Sequence, residues 1–135
     1  MGRSGIITFK GNPMTLEGDE VAIGGDAPEF TVHYADAGIQ ALTLADLKGK
    51  PSIISVVPSL DTPVCAIQTK KFNQEIASLG DNINAVTVSR DLPFAQARFC
   101  GAEDVSMRTA SAVSYTHLRA HETREDRVCR LVLEK

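Results

Sequence analysis

Residues 52–57 read Ser-Ile-Ile-Ser-Val-Val, a run dominated by β-branched side chains that ends at Pro58. Such a run is typical of a strand that is buried on both faces within a parallel sheet. A second run of the same kind, Ile-Asn-Ala-Val-Thr-Val-Ser, occupies residues 83–89. The two runs therefore predict two strands of one sheet.

The segment between these strands carries the start and stop signals of a helix. Thr62 is a good N-cap residue, and Pro63 suits the first helical position, where its missing N–H costs nothing. Gly80 stops the helix, which is predicted over residues 63–79. Strand, helix and strand together predict a βαβ unit with a right-handed crossover, and hence an α/β fold.

Shorter elements flank this unit on both sides. Residues 6–16 predict a β-hairpin around the Gly-Asn-Pro turn at residues 11–13. Residues 43–51 are expected to hold at most one helical turn. After the second strand, a further helix is predicted from residue 92 or 93 through Cys100.

Length and composition restrict the kind of protein. The chain has 135 residues, which is the size of one domain, and its net charge of −3 offers no basic surface for nucleic acid. The apolar runs are far shorter than the roughly 20 residues that span a bilayer, and the N-terminus lacks the apolar segment of a secretory signal. We therefore expect a cytoplasmic protein that does not enter membranes. Three cysteines are too few for a secreted disulfide scaffold, and an odd number cannot all form pairs within the chain.

Cys65 is the cysteine with the most distinctive predicted position. It is the third residue of the predicted helix, just beyond the carboxyl end of a strand, where the crevice of an open α/β sheet lies. Backbone N–H groups and the positive end of the helix dipole stabilise a thiolate there. Phe72, Ile76 and Leu79 are predicted to share its core-facing stripe. The alternative is a buried cysteine that acts as a small hydrophobic residue.

The residues before this cysteine form a Pro-x-x-x-Thr-x-x-Cys pattern over residues 58–65. This pattern resembles the active-site signature of the peroxiredoxins, and the chain is similar to their bacterial thiol peroxidase subfamily, the atypical 2-Cys type. Residues 7–13, 71–73 and 91–103 carry the same resemblance. The resemblance implies a thioredoxin-like fold with an N-terminal β-hairpin.

The resemblance also implies a role for each site residue. Cys65 corresponds to the peroxidatic cysteine, which attacks a hydroperoxide and becomes a sulfenic acid. Thr62 orients and activates this cysteine, and Pro58 shields it from solvent. Cys100 corresponds to the resolving cysteine, which forms an intramolecular disulfide with Cys65.

The implied substrates are hydrogen peroxide and organic or lipid hydroperoxides. Thioredoxin is the implied reductant of the disulfide, a homodimer is the implied assembly, and the reaction requires no cofactor or metal. Cys100 is expected about 10 Å beyond its strand end, from the rise of a helix. Because a disulfide needs Cα atoms about 4.4–6.8 Å apart, we expect one or both helices to unwind locally during turnover.

The resemblance stops after Ala112. We therefore predict a partial thioredoxin-like domain over residues 1–112, without the last helix and the C-terminal part of the sheet. Residues 113–135 form a non-family tail that is expected to be disordered. Its stretch at residues 114–123 resembles translated sequencing adapter, and a genuine lineage-specific terminus is the alternative.

Two other functions stay open. The family's active-site arginine belongs to the absent part, and neither Arg98 nor Arg108 stands in its place, so the chain could be a catalytically impaired fragment with redox-active cysteines only. The second is a metal-binding module, because His117 and His121 have helical ligand spacing and Cys129 follows them. Two histidines in a charged stretch are, however, usually solvated.

Overall fold

The N-terminal hairpin is present in the computed structural model, which describes residues 2–113 and 132–134. Strand β1 (Arg3–Phe9) pairs antiparallel with β2 (Asn12–Leu16). The turn lies at Lys10 and Gly11, which both have positive φ, so it falls one residue earlier than predicted. Pro13 can stand within β2 because an edge strand does not need its N–H.

The remaining strands form one six-stranded sheet among the described residues. Its central strands are parallel: β5 pairs with β6, and β6 pairs with β7. Antiparallel strands flank them on both sides. The order across the sheet is β4-β3-β7-β6-β5-β8. The six strands are β3 (Thr31–Ala35), β4 (Ile39–Thr43), β5 (Ser52–Val56), β6 (Asn84–Ser89), β7 (Arg108–Ser111) and β8 (Val132–Glu134).

The predicted βαβ unit is confirmed. Helix α1 (Pro63–Leu79) connects β5 to β6, and the two strands pair in register from Ser52 opposite Asn84 to Val56 opposite Val88. The segment before β5 contains a single 3-10 turn, Leu44–Leu47, as expected.

A second βαβ unit follows the first. Helix α2 (Pro93–Glu103) runs three residues beyond Cys100 and ends at Asp104, which adopts the left-handed conformation at φ 54°. The chain then enters β7, a strand that the sequence analysis did not predict. This unit brings the start of α2 to the same sheet edge as the start of α1.

The core lies between the sheet and its flanking elements. Helix α1 has one fully buried residue, Thr69, while Phe72 and Ile76 are half-buried. The prediction that Leu79 belongs to the core-facing stripe is wrong, since this residue is 51% exposed. It is the last residue of α1, where the chain turns away at Gly80. The core cluster consists of Val32, Leu42, Leu47, Ile54, Val86, Val88 and Ala110.

Three residues of the predicted tail are ordered as β8. This strand pairs antiparallel with β5, with Val132 opposite Ile54. This pairing covers an edge of β5 whose backbone groups would otherwise lack partners. Residues 114–131 lie outside the described residues, and both the disorder of the tail and the boundary after residue 112 stay predictions. Among the described helices, none is long and apolar enough to cross a membrane.

Candidate active site

Two loops meet at the carboxyl edge of the central strands. Residues 57–62 leave β5, and residues 90–92 leave β6. The Val57 N–H donates to the Val88 carbonyl at 2.9 Å, and the Arg90 N–H donates to the Pro58 carbonyl at 3.2 Å. Pro58 itself is exposed. Hydrogen bonds therefore hold the loop that precedes α1 against the loop that precedes α2.

Thr62 stands at the N-cap position of α1, with φ −90° and ψ 139°. Its carbonyl accepts the Ala66 N–H at 2.9 Å, as an N-cap residue should. Thr62 is therefore the N-cap residue that the sequence predicts, although its hydroxyl makes no cap bond and instead donates to the Ser59 carbonyl at 2.8 Å. The hydroxyl thus ties Thr62 back into its own loop.

Cys65 is the third residue of α1, half-buried, with a free thiol. The first turn of a helix leaves backbone N–H groups without intrahelical acceptors, here those of Val64 and Cys65. No acidic residue lies in that turn. Asp61 precedes it, and its exposed carboxylate lies 3.9 Å from the Arg98 guanidinium.

Asp91 connects the two loops, and the sequence analysis did not single it out. Its Oδ1 accepts the Ser59 hydroxyl at 2.7 Å. Its Oδ2 accepts the Leu60 N–H at 2.8 Å and the Ser89 hydroxyl at 2.7 Å. The only sequence signal for Asp91 is its place at the start of the matching stretch at residues 91–103.

Cys100 is the eighth residue of α2 and is also a free, half-buried thiol. Its sulfur lies 3.5 Å from the Thr109 hydroxyl on β7. Pro58, Thr62 and Cys65 thus come together at the carboxyl edge of the sheet, while Cys100 packs against the neighbouring strand about two helical turns into α2. Both thiols lie in regular helix.

The described residues offer no obvious metal site. Within residues 2–113 and 132–134, no three His, Cys, Asp or Glu side chains come together to hold an ion. His117, His121 and Cys129 lie outside the described residues. A cavity of about 410 Å³ opens between α1 and the amino ends of β6 and β7, and neither Cys65 nor Cys100 lines it.

The two arginines considered in the sequence analysis contact groups other than the thiol. Arg98 is exposed and reaches the Asp61 carboxylate. Arg108 stacks its guanidinium on the Tyr34 ring, 5.0 Å from the ring centre, at the start of β7.

A free thiol in the first turn of a crossover helix, at the carboxyl edge of a mixed sheet, is the arrangement expected of the thioredoxin-like class. The chain belongs to the Redoxin family, whose pattern matches residues 22–126. This match extends beyond Ala112, into the segment that the sequence analysis assigns to the tail. The predicted α/β, thioredoxin-like fold is confirmed.

Individual relatives sharpen the similarity. The chain is 57% identical over 99 residues to a thiol peroxidase of Bacillus subtilis (strain 168), and the aligned region covers 73% of this chain and 58% of that protein. It is 60% identical over 94 residues to a thiol peroxidase of Halalkalibacterium halodurans, covering 70% of this chain and 55% of that one. The predicted resemblance to thiol peroxidases is therefore confirmed. The chain spans less than two thirds of the length of these relatives.

Solved structures agree with this placement. A peroxiredoxin-like protein from Aquifex aeolicus superposes with a TM-score of 0.71 at 44% identity, covering 79% of this chain and 61% of that one. A thiol peroxidase from Chromobacterium violaceum gives a TM-score of 0.63 at 16% identity, covering 76% and 59%, and shares the fold.

Proposed function

We propose that this chain is a thiol-dependent peroxidase in which Cys65 is the peroxidatic residue. The observation that carries the proposal is the position of this thiol in the first turn of α1, three residues after Thr62 and at the carboxyl edge of β5. The similarity to proteins named thiol peroxidase supports the same chemistry.

In the first step, the Cys65 thiolate attacks the distal oxygen of a hydroperoxide. The O–O bond breaks as the S–O bond forms, and the leaving oxygen takes up a proton to give water or an alcohol. Cys65 is thereby oxidised to a sulfenic acid, and the peroxide is reduced. Backbone N–H groups in the first turn of α1 can stabilise the charge that develops on the peroxide.

Thr62 and Pro58 shape this step. The Thr62 hydroxyl is held 2.8 Å from the Ser59 carbonyl, on the turn that leads into Cys65. Since its one proton is donated to Ser59, the Thr62 oxygen can accept a hydrogen bond from the O–H of a hydroperoxide and so orient the substrate for attack by Cys65. Pro58 lies at the beginning of the same loop, where it limits access of solvent to a sulfenic acid.

In the second step, the Cys100 thiol attacks the sulfur of the Cys65 sulfenic acid, an S–S bond forms and water leaves. A thioredoxin-type dithiol then reduces the disulfide and is itself oxidised. Cys100 packs on Thr109 inside α2, so this step requires local unwinding of helix. Hydrogen peroxide and small organic or lipid hydroperoxides are the proposed substrates; a homodimer and a cytoplasmic location stay predictions.

Single-turnover rapid mixing of the reduced 135-residue chain with hydrogen peroxide tests the proposal. We expect the chain and its Cys100→Ser variant to consume one equivalent, with Cys65 trapped as a sulfenic acid in the variant by a dione probe. Cys65→Ser should abolish the reaction. Cys129→Ser is the matched control and should leave the rate unchanged.

A rate no faster than that of free cysteine would contradict the peroxidase proposal. That result would favour the second candidate, a fragment with redox-active cysteines only. One observation favours this candidate: Arg98 and Arg108 are engaged with Asp61 and Tyr34 and not with the thiol. Thiol exchange with glutathione disulfide at Cys65, without fast peroxide consumption, would identify it.

A further inference from the structure

The Asp91 carboxylate is the point at which the active-site loop is fastened to the sheet. Three hydrogen bonds of 2.7–2.8 Å converge on it, two of them from the loop that carries the site, donated by Ser59 and Leu60. Hydrogen bonds to an ionised carboxylate are shorter and stronger than those between neutral groups. Asp91 therefore restrains the turn at residues 59–60 through hydrogen bonds to both of its carboxylate oxygens.

On its other side, Asp91 is held by residues that are buried and hydrogen-bonded within the core. The Ser89 hydroxyl donates to Asp91 and accepts the Gln96 side-chain amide at 2.8 Å. The same Gln96 amide donates to the Ala110 carbonyl at 2.8 Å. Ser89 and Gln96 are each only 1% exposed. The carboxylate is thus oriented by groups fixed in the core.

The restrained turn is the one that holds Thr62. The Ser59 carbonyl accepts both the Thr62 hydroxyl at 2.8 Å and the Thr62 N–H at 3.3 Å. The Ser59 hydroxyl also accepts the Asp61 N–H at 3.2 Å. A chain of contacts therefore leads from the core through Asp91 and Ser59 to Thr62, three residues before the thiol.

A simpler role for Asp91 would be to cap α2, whose N-cap residue is Leu92. The contacts do not fit that role, because the hydrogen bonds to the Asp91 side chain come from Ser59, Leu60 and Ser89, and none of these residues is in α2. The first helical bond of α2 instead runs from the Gln96 N–H to the Leu92 carbonyl.

We propose that Asp91 is a positioning residue of the peroxide reaction. It fixes the turn at residues 59–60 and thereby sets the Thr62 hydroxyl relative to the Cys65 thiol. This inference rests on the proposed peroxidase function. It predicts that loss of the carboxylate slows the reaction with peroxide, which needs both groups aligned, but not the reaction of the thiol with a reagent that needs no alignment.

The test compares two reactions of Cys65 in the full chain carrying Cys100→Ser and Cys129→Ser, where Cys65 is the single thiol. One is single-turnover reduction of hydrogen peroxide, and the other is alkylation by iodoacetamide. We expect Asp91→Ala to lower the peroxide rate by about 10- to 100-fold, the loss typical of a small misplacement of reacting groups. The alkylation rate should stay that of the unsubstituted site.

Two variants separate geometry from other effects. In Asp91→Asn, the amide oxygen can still accept from Leu60 and Ser89 while the amide nitrogen donates to the Ser59 hydroxyl, so most of the peroxide rate should return. Asp81→Ala is the control, since it removes an exposed carboxylate at the opposite edge of the sheet, before the amino end of β6, and should leave both rates unchanged.

Several outcomes would overturn the proposal. These are equal peroxide rates for Asp91→Ala and Asp81→Ala, a parallel fall of peroxide and alkylation rates, or an Asp91→Asn variant as slow as Asp91→Ala. If Asp91→Ala does not fold, Ser59→Ala removes one of the three bonds and should give a smaller, peroxide-specific loss; an unchanged ratio of the two rates refutes the role. A starting chain without fast peroxide reduction would refute the peroxidase function and this role together.

Discussion

Replacing Asn73 with alanine should destabilise the fold by detaching α1 from the segment that joins α2 to β7. The Asn73 Oδ1 accepts the Ser106 N–H at 3.0 Å, the Ser106 hydroxyl at 3.1 Å and the Met107 N–H at 2.8 Å. Its amide nitrogen also reaches the Asp104 carbonyl at 3.5 Å. One side chain of α1 therefore accepts from two consecutive backbone N–H groups of the segment that joins α2 to β7.

The size of the effect follows from the exposure of the groups left behind. Ser106 is exposed, so water can replace the lost acceptor. Met107 is only 8% exposed, and a buried N–H without an acceptor costs about 1–3 kcal/mol. Alanine regains up to about 0.7 kcal/mol of helix propensity within α1. We therefore expect Asn73→Ala to lower the free energy of unfolding by about 1–2 kcal/mol.

Urea denaturation followed by circular dichroism measures this difference. Asn82→Ala is the matched control, because Asn82 is exposed and its amide nitrogen makes one long contact of 3.5 Å with the Leu79 carbonyl. The control should change the free energy of unfolding by no more than about 0.5 kcal/mol. An Asn73→Ala variant as stable as Asn82→Ala would refute the reasoning, since the hydrogen bond from the Met107 N–H to Asn73 would then contribute nothing to the free energy of unfolding.

Three further predictions concern other contacts of the fold. Lys70→Met breaks the 2.6 Å ion pair with Glu103, but both side chains are at least 40% exposed. Urea denaturation should therefore show that the free energy of unfolding falls by only about 0–1 kcal/mol, and by less in high salt. A larger fall would contradict this prediction. Hydrogen bonds from the Thr43 N–H and hydroxyl hold the pKa of Asp46 below its usual 3.8. The stability that these bonds contribute is therefore complete above about pH 4 and is lost as the pH falls through the lowered pKa. An NMR titration of Asp46 with a midpoint at or above 3.8 would disprove this prediction. The Leu42 side chain is only 1% exposed, so Leu42→Ala should lower the free energy of unfolding by about 2–5 kcal/mol in the same urea assay. A fall of less than about 1 kcal/mol would contradict this, since it would mean that neighbouring side chains move in and fill the cavity.

The first βαβ unit could be predicted because its signals are local. Runs of β-branched residues mark β5 and β6, and Thr62, Pro63 and Gly80 mark the ends of α1. By contrast, β7 reads Arg-Thr-Ala-Ser, which has no hydrophobic run. Its strand conformation comes from pairing with β6 and β3 on its two sides, and Ala110 is fully buried only as a result.

The same division applies to the candidate site. Pro58, Thr62 and Cys65 lie within eight consecutive residues, so their proximity follows from the sequence. Their assigned roles stay predictions. Asp91 lies 31 residues from Leu60 and 32 from Ser59, and only the adjacency of β5 and β6 brings it to the loop. Thr62 stands at the N-cap as predicted, whereas the bond from its hydroxyl to the Ser59 carbonyl depends on the fold of the loop and could not be read from the sequence.

The two proposed catalytic steps make opposite demands on the start of α1. Reaction with peroxide needs Thr62 and Cys65 held in place, whereas a disulfide with Cys100 needs one of the two helices to open. Helix α2 buries Pro93 and Gln96 at its start, but it buries no residue fully after Gln96, so the turns that hold Cys100 could open without breaking core contacts. Helix α1 buries no residue fully before Thr69, and unwinding its first turn and a half would expose little new apolar surface. We therefore expect resolution to unwind the start of α1, the end of α2 or both, while Asn73 keeps the rest of α1 fastened to the segment before β7.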